Sequence, residues 1–384
     1  MKRLLHVHSQ ARFQGGIERI LFDTARSLSA NMEQGLLFTD GGSDIRFLVP
    51  FAWHGMCLQE ALVSFKPDLA IIHKTDCDET IRQVINGVPT IVFPHDHDLT
   101  CPRRHKYLPL SDKPCERAVG AGCIKNLCFI ERSTTAHKLP ITLFDGIQRQ
   151  RRLMSASRQA KHFLVASQAM QAGLVKNGIE ASKIRVIAPI PAGLNNISPT
   201  PLPTGARAEL LFVGQVIRGK GVDLMLHAVA QLNVDYRLTI VGEGNHLAYC
   251  RQLSTRLGLA RKVTFTGWVD HHLLDAYYKR SRCLVVPSRW PEPFGMVGIE
   301  AMARGRPVVA FDVGGISDWL THNQTGFVAR AGDTDGLARQ LLIAINNDQD
   351  MARMATNAYL YATKRFNHEQ FISQLTTYID EVTP

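Results

Sequence analysis

Two glutamates with seven residues between them, Glu292 and Glu300, stand in the segment Ser288-Arg289-Trp290-Pro291-Glu292-Pro293-Phe294-Gly295-Met296-Val297-Gly298-Ile299-Glu300. Ionised carboxylates only accept hydrogen bonds, so such a pair suits hydroxyl groups and repels phosphate. A Pro/Gly-rich turn entering a helix also leaves backbone amides unused, and those around Phe294, Gly295, Met296 and Val297 can hold an anion without metal. A second anion-binding candidate is Gly214-Gln215-Val216-Ile217-Arg218-Gly219-Lys220-Gly221, a glycine-rich loop with two cations just before a helix. Its glycines allow close backbone approach and Lys220 supplies a point charge, a combination suited to phosphate, although a tight turn with solvated cations has the same composition.

The elements that must carry these loops read as α/β. Short apolar runs at Arg3–His8, 35–39, 68–73, 90–94, 162–166 and 184–189 alternate with helical patterns such as 17–28 and 168–177, which predicts a parallel sheet. The pattern repeats beyond a proline-rich stretch, with strands at 209–213, 237–241, 263–266, 283–287 and 307–311 and helices from Val222, His246, Leu273, Met296 and Thr334. Open parallel sheets bind ligands at the carboxyl ends of their strands, where both candidate loops fall. The expected organisation is an N-terminal domain over residues 1–198 with a Cys-rich basic insertion near 97–140, a linker at 199–206, and a second domain over 207–364. A terminal helix over 365–384, with Phe366, Phe371, Ile372, Leu375, Ile379 and Val382 on one stripe, is expected to return to the first domain.

The setting Glu-Pro-Phe-Gly…Glu-Ala of the glutamate pair resembles the signature of family four retaining glycosyltransferases of the GT-B fold, two doubly wound Rossmann-like domains facing a central cleft. The resemblance extends along nearly the whole chain: Gly15-Gly16-Ile17-Glu18-Arg19, Phe212-Val213-Gly214, Lys220-Gly221, Val241-Gly242-Glu243-Gly244, Gly267-Trp268-Val269, Gly314-Gly315 and Asn323-Gln324-Thr325-Gly326-Phe327 occur in family order. It implies that Glu300 binds ribose hydroxyls, Glu292 the donor sugar, and Lys220 the diphosphate, with the base near Trp268 and Val269. It implies too that His95, followed by Asp96, sits beside the donor sugar, with His97 its competitor. Gly15 and Gly16 would approach the donor, and Arg19 the acceptor. Gln215 departs from the pattern, standing where many relatives carry an arginine; Arg218 or the helix terminus would then supply the second charge. The implied reaction is retaining sugar transfer from a UDP- or GDP-sugar, with no catalytic metal, to a glycan or lipid-linked glycan in bacterial surface polysaccharide or lipopolysaccharide assembly. Another activity on the same fold, epimerase or phosphorylase, or a non-catalytic nucleotide-sugar-binding scaffold, is the alternative.

The remaining features bound the setting. At 384 residues and 45% apolar content the chain has room for two cores. No secretory leader or membrane span is evident, so a cytoplasmic chain with reduced cysteines is expected. Cys101, Cys115, Cys123 and Cys128 cluster in the basic insertion, where a structural zinc on four thiolates competes with ordinary thiols. The net charge of +10 falls mainly in residues 1–200. There, Arg149, Arg151, Arg152, Arg158 and Lys161 mark a helix that either docks peripherally on the anionic inner face of the cytoplasmic membrane or exposes a solvated face. No nucleic-acid-binding module is recognisable.

Overall fold

Runs of aliphatic residues without polar alternation are what a parallel strand covered on both faces requires, and they form the centres of two sheets. The structure is a computed structural model that describes residues 1–111, 113–132, 141–143, 146–194, 197–203 and 207–383. Parts of the expected insertion and linker, at 133–140 and 204–206, and the last residue lie outside these. The chain divides into one unit made of Met1–Leu110, Glu116–Ala192 and the segment from His368 onward, and another made of Ser111–Cys115 and Gly193–Asn367.

The first unit contains strands β1 (Lys2–His8), β2 (Met32–Phe38), β3 (Trp53–Gly55), β4 (Leu69–Ile72), β5 (Thr90–Val92), β6 (Ile130–Arg132), β7 (Ile141–Leu143), β8 (His162–Val165) and β9 (Ile184–Val186). Seven of these form one parallel sheet in the order β3-β2-β1-β4-β5-β8-β9, while β6 and β7 pair separately as an antiparallel ribbon. Strand β1 is an interior strand between β2 and β4, in register with β2 from Lys2 opposite Met32 to His8 opposite Phe38. Helix Gly16–Leu28 follows it directly, and Leu21 and Ala25 on that helix pack with Leu36, Phe38 and Phe47 in the core.

The second unit contains β10 (Ala208–Val213), β11 (Tyr236–Val241), β12 (Val263–Gly267), β13 (Cys283–Val286), β14 (Val308–Phe311) and β15 (Gly326–Ala329), an all-parallel sheet in the order β12-β11-β10-β13-β14-β15. The order reverses between β10 and β13, and the loops leaving those two strands carry Lys220 and Glu292. A switch point of this kind is where open sheets hold ligands.

Two boundaries differ from the sequence reading. The first unit ends at Ala192, and the proline-rich stretch already belongs to the second. Fully buried Arg306 donates to the carbonyls of Thr200 and Pro201 at 2.9 and 3.1 Å, so this stretch is held rather than free. The terminal stripe is also divided. Helix Asp348–Arg365 ends at Phe366, whose φ of −124° and ψ of 70° break the helical path, and a separate helix spans His368–Val382. Phe366 packs edge-on against Phe294 in the second unit, whereas Phe371, Leu375, Tyr378 and Ile379 are buried in the first. There Tyr378 donates to the Phe163 carbonyl at 3.2 Å, and Lys2 meets Asp380 at 2.8 Å.

Candidate functional site

In the second unit, the glycine-rich loop after β10 lies against the turn after β13. The amide of Arg289 donates to the Gly219 carbonyl at 2.8 Å, and Arg289 Nη1 reaches the Arg218 carbonyl at 2.9 Å. The buried Arg289 guanidinium grips Asp223 through two bonds, at 2.6 and 2.5 Å. Burial alone would raise the Asp223 pKa, but His246 and Arg289 hold it well below the ordinary carboxylate range. This pair fixes the loop from below. Gly221 closes it with φ of +68°, and a Cβ there would lie 1.8 Å from the Pro287 carbonyl oxygen, so no side chain fits.

The loop and the turn meet at Lys220 and Glu292. Lys220 Nζ lies 2.8 and 2.9 Å from the two carboxylate oxygens of Glu292, and Ser288 Oγ donates to one of them. The Trp290 ring stands under the ammonium at 4.9 Å. Glu292 is only 4% exposed; burial pushes its pKa up, but the charge and hydrogen bond of Lys220, with Ser288, leave it below its usual value. The Glu292 backbone is fixed too, since its carbonyl accepts from Gly315 N at 2.7 Å. Gly314, at φ +57°, would place a Cβ 2.3 Å from that carbonyl oxygen.

Helix Met296–Met302 starts after Gly295, whose φ is +90°, and carries Glu300 inside. Phe294 is buried and its carbonyl accepts from Trp319 Nε1 at 2.6 Å; Met296 and Val297 are half-buried at the helix start. Glu300 accepts from Tyr278 Oη at 3.0 Å, with His271 at 3.8 Å. Tyr278 is fully buried, and burial with the Glu300 charge raises its pKa well above normal. Gln215 is exposed, Arg218 and Val269 are half-buried, and Trp268 is 66% exposed on the loop after β12. Ser288, Tyr278 and Asp223 were not singled out from sequence. Ser288 lies inside the glutamate segment, but the other two carry no spacing signal.

In the first unit, Gly15 precedes helix Gly16–Leu28 in extended backbone, and a Cβ at Gly16 would meet no described atom within 4 Å. Arg19 bonds Asp23 at 3.0 Å and leaves about half its side chain exposed. His95, after β5, is half-buried, packs against the Phe93 ring at a tilt with centroids 4.1 Å apart, and hydrogen-bonds His73 at 2.8 Å. His97 is buried. Beside them Asp96 pairs with Lys74 at 3.2 Å, and Asp98 with Arg104 at 3.0 Å. Burial, then the neighbouring Asp96 charge, pushes the Asp98 carboxyl up to about 7.

Cys101, Cys115, Cys123 and Cys128, the candidate zinc ligands, are free thiols among the described residues. Among the described residues no three His, Cys, Asp or Glu are arranged to hold a metal. Cys123 and Cys128 are hydrogen-bonded to each other, which lowers Cys123 to about 6, while Cys101, near enough to act on Cys128, accepts from Lys106 N. The basic helix, Gly146–Ser157, has spent part of its charge within the protein: Arg149 pairs with Asp76 at 2.8 Å, Arg152 with Asp78 at 3.6 Å, and Arg158 donates to the Asn177 carbonyl. Among the described residues no helix is long and apolar enough to cross a membrane.

Two doubly wound parallel sheets, each in its own unit, define the GT-B fold, and solved structures of that fold align with the whole chain. The Anabaena protein Alr3699/HepE in complex with UDP has a TM-score of 0.74 at 20% identity, covering 99% of this chain and 100% of that one. The sequence profile of Glycosyl transferases group 1 matches residues 197–361, and the second unit is therefore a group 1 glycosyltransferase domain. Among curated relatives, the glycogen synthase of Mycobacterium tuberculosis is 31% identical over 50% of this chain and 44% of its own length. The lipopolysaccharide core biosynthesis mannosyltransferase LpsB of Rhizobium meliloti is 32% identical over 41% of this chain and 47% of its own. The chain thus spans less than half the length of these relatives.

Proposed function

We propose that this protein is a retaining, metal-independent glycosyltransferase using a UDP- or GDP-sugar. The observation that carries the reading is the Lys220–Glu292 pair, with its buried carboxylate, at the switch point of a group 1 domain, with Glu300 on the adjoining helix. Lys220, with Arg218 and the first-turn amides of helix Met296–Met302, supplies positive charge for a leaving diphosphate, so no metal is required of the reaction. Glu300 accepts ribose hydroxyls and Glu292 sugar hydroxyls, while Phe294, Gly295, Met296, Val297, Gln215 and Val269 line the donor. His95, Gly15 and Gly16 contribute from the first unit, and Arg19 and His97 serve the acceptor.

Retention follows when the leaving phosphate takes the acceptor proton on the face from which it departs. UDP in the complex with the Anabaena protein supports a nucleotide donor, and the Rhizobium relative, a lipopolysaccharide core mannosyltransferase, supports a glycan or lipid-linked glycan acceptor in lipopolysaccharide or surface polysaccharide assembly. Incubation with a panel of UDP- and GDP-sugars, with chelator present, tests the proposal. Release of nucleoside diphosphate from at least one donor is expected, and binding without release from any donor or acceptor would indicate a scaffold.

A further inference from the structure

Strand β1 lies inside its sheet, between β2 and β4, yet it carries two fully buried histidines, His6 and His8. Buried imidazole nitrogens need partners, and His6 finds them on both sides. Its Nε2 lies 2.9 Å from Gln34 Oε1 on β2, and its Nδ1 lies 2.9 Å from His73 Nε2, just past β4. His73 Nδ1 continues to His95 Nε2, past β5, at 2.8 Å. The rings stack as well, with centroids 5.2 Å apart for His6 and His73 and 5.1 Å for His73 and His95. Four adjacent strands thus contribute one residue each to a continuous line.

The protons in this line have one consistent arrangement. Gln34 Nε2 donates to the Met32 carbonyl at 2.8 Å, so Oε1 must face His6 as an acceptor. A neutral imidazole has one donor and one acceptor nitrogen. His6 therefore carries its proton on Nε2 and accepts on Nδ1; His73 donates from Nε2 and accepts on Nδ1; His95 donates from Nε2. Reversing the line would turn the Gln34 amide and set its oxygen against the Met32 carbonyl, leaving two acceptors facing each other. Burial keeps the rings neutral, lowering His6 to about 4, His95 to about 3 and His73 well below its ordinary value. Among the described residues, His73 is the only hydrogen-bond partner of the His95 ring, so its Nδ1 lone pair is the line's open end.

We propose that Gln34, His6 and His73 are positioning residues that fix His95 as the Nε2–H tautomer and present its Nδ1 as a hydrogen-bond acceptor for a hydroxyl of the transferred sugar. The hydroxyl partner rests on the glycosyltransferase reading above; the tautomer does not. A wrong tautomer would aim an N–H at the same hydroxyl and force it to accept, changing how the sugar is oriented.

Nitrogen-15 NMR of the imidazoles in the full chain at neutral pH, assigned with His95→Gln, tests the line directly. The wild type is expected to show His95 protonated on Nε2 and bare on Nδ1. Gln34→Met removes the acceptor that sets the direction and should give a mixture of His95 tautomers, with kcat about tenfold lower and nucleoside diphosphate affinity within about twofold, the loss expected of one net hydrogen bond. A wild-type His95 protonated on Nδ1, or a Gln34→Met protein with an unchanged His95 spectrum, overturns the proposal. The Nε2–H tautomer in a protein that turns over no sugar nucleotide would instead sink the transferase reading and leave the line itself standing.

Discussion

Lys220 and Glu292, from loops 72 residues apart in sequence, form a two-pronged ion pair of 2.8 and 2.9 Å in which the carboxylate is buried and the ammonium keeps 20% of its side chain exposed. The accessible partner can meet a diphosphate while the buried one holds it in place. Removing Lys220 alone strands a buried charge, so Lys220→Ala should cost about 3 kcal/mol of stability as well as turnover. The double variant Lys220→Met/Glu292→Gln should regain most of that stability and none of the activity. Urea unfolding beside donor turnover checks both; a double variant as unstable as the single one would contradict this account of the pair.

Glu300 has a structural partner in Tyr278 and a proposed ligand in the ribose, and two substitutions separate these roles. Glu300→Gln keeps an acceptor for the Tyr278 hydroxyl, whereas Glu300→Ala leaves it buried and unpaired. Both should weaken nucleoside diphosphate binding about 10- to 100-fold, the range for losing a charge-assisted hydrogen bond, and only the alanine should also lower the melting temperature. Calorimetric titration with the fold monitored by circular dichroism distinguishes them. Equal affinity in wild type and both variants would remove Glu300 from the donor site.

The histidines of the first unit predict an acid-sensitive fold. His6 and His8 fall from 6.5 to about 4, and His95 to about 3, chiefly through burial. Below pH 6.5 the unfolded chain takes up protons that the folded unit refuses, so the stability these neutral rings contribute is complete above that pH. It is lost as the pH falls towards 4, by up to about 1.4 kcal/mol per pH unit for each ring. Thermal melts between pH 7 and 4 should show this decline, and His6→Phe should flatten it. A melting temperature that is constant across that window would contradict the neutral assignment.

Gly221 tests the support beneath Lys220. At φ +68° with Pro287 O 1.8 Å from an added Cβ, Gly221→Ala should cost more than about 2 kcal/mol and reduce donor affinity along with it. Limited proteolysis and donor titration of this variant read the two effects; native affinity would show that the loop moves without consequence.

Much of this architecture was legible as apolar runs. Leu210–Val213 and Leu284–Val286 are strands because nothing polar interrupts them, and the glutamate segment follows the second of these at the turn into its helix. What the sequence concealed has physical reasons. Trp53–Gly55 is a three-residue edge strand with no aliphatic run, and it is recognised only by pairing with Gly35–Leu37. The break at Phe366 is invisible to periodicity because an apolar residue occupies it, and packing against Phe294 decides its place. The partners Ser288, Tyr278 and Asp223, and the line from Gln34 to His95, depend on side chains meeting across separate elements, for which local spacing offers no signal. For the four cysteines, spacing says nothing about geometry: Cys123 and Cys128 meet and Cys101 acts on Cys128, yet among the described residues no three ligands are arranged to hold a metal.

Proton NMR of the anomeric signal during turnover of the accepted UDP- or GDP-sugar, in chelator, comparing wild type with Glu292→Gln, reads both the stereochemistry of transfer and the part the carboxylate plays in it. Wild type is expected to release nucleoside diphosphate and form product, or first-formed free sugar, with the donor's anomeric configuration, and Glu292→Gln to do so at least about a hundredfold more slowly. Inverted product, dependence on an added divalent metal, or a Glu292→Gln protein with wild-type turnover would contradict it.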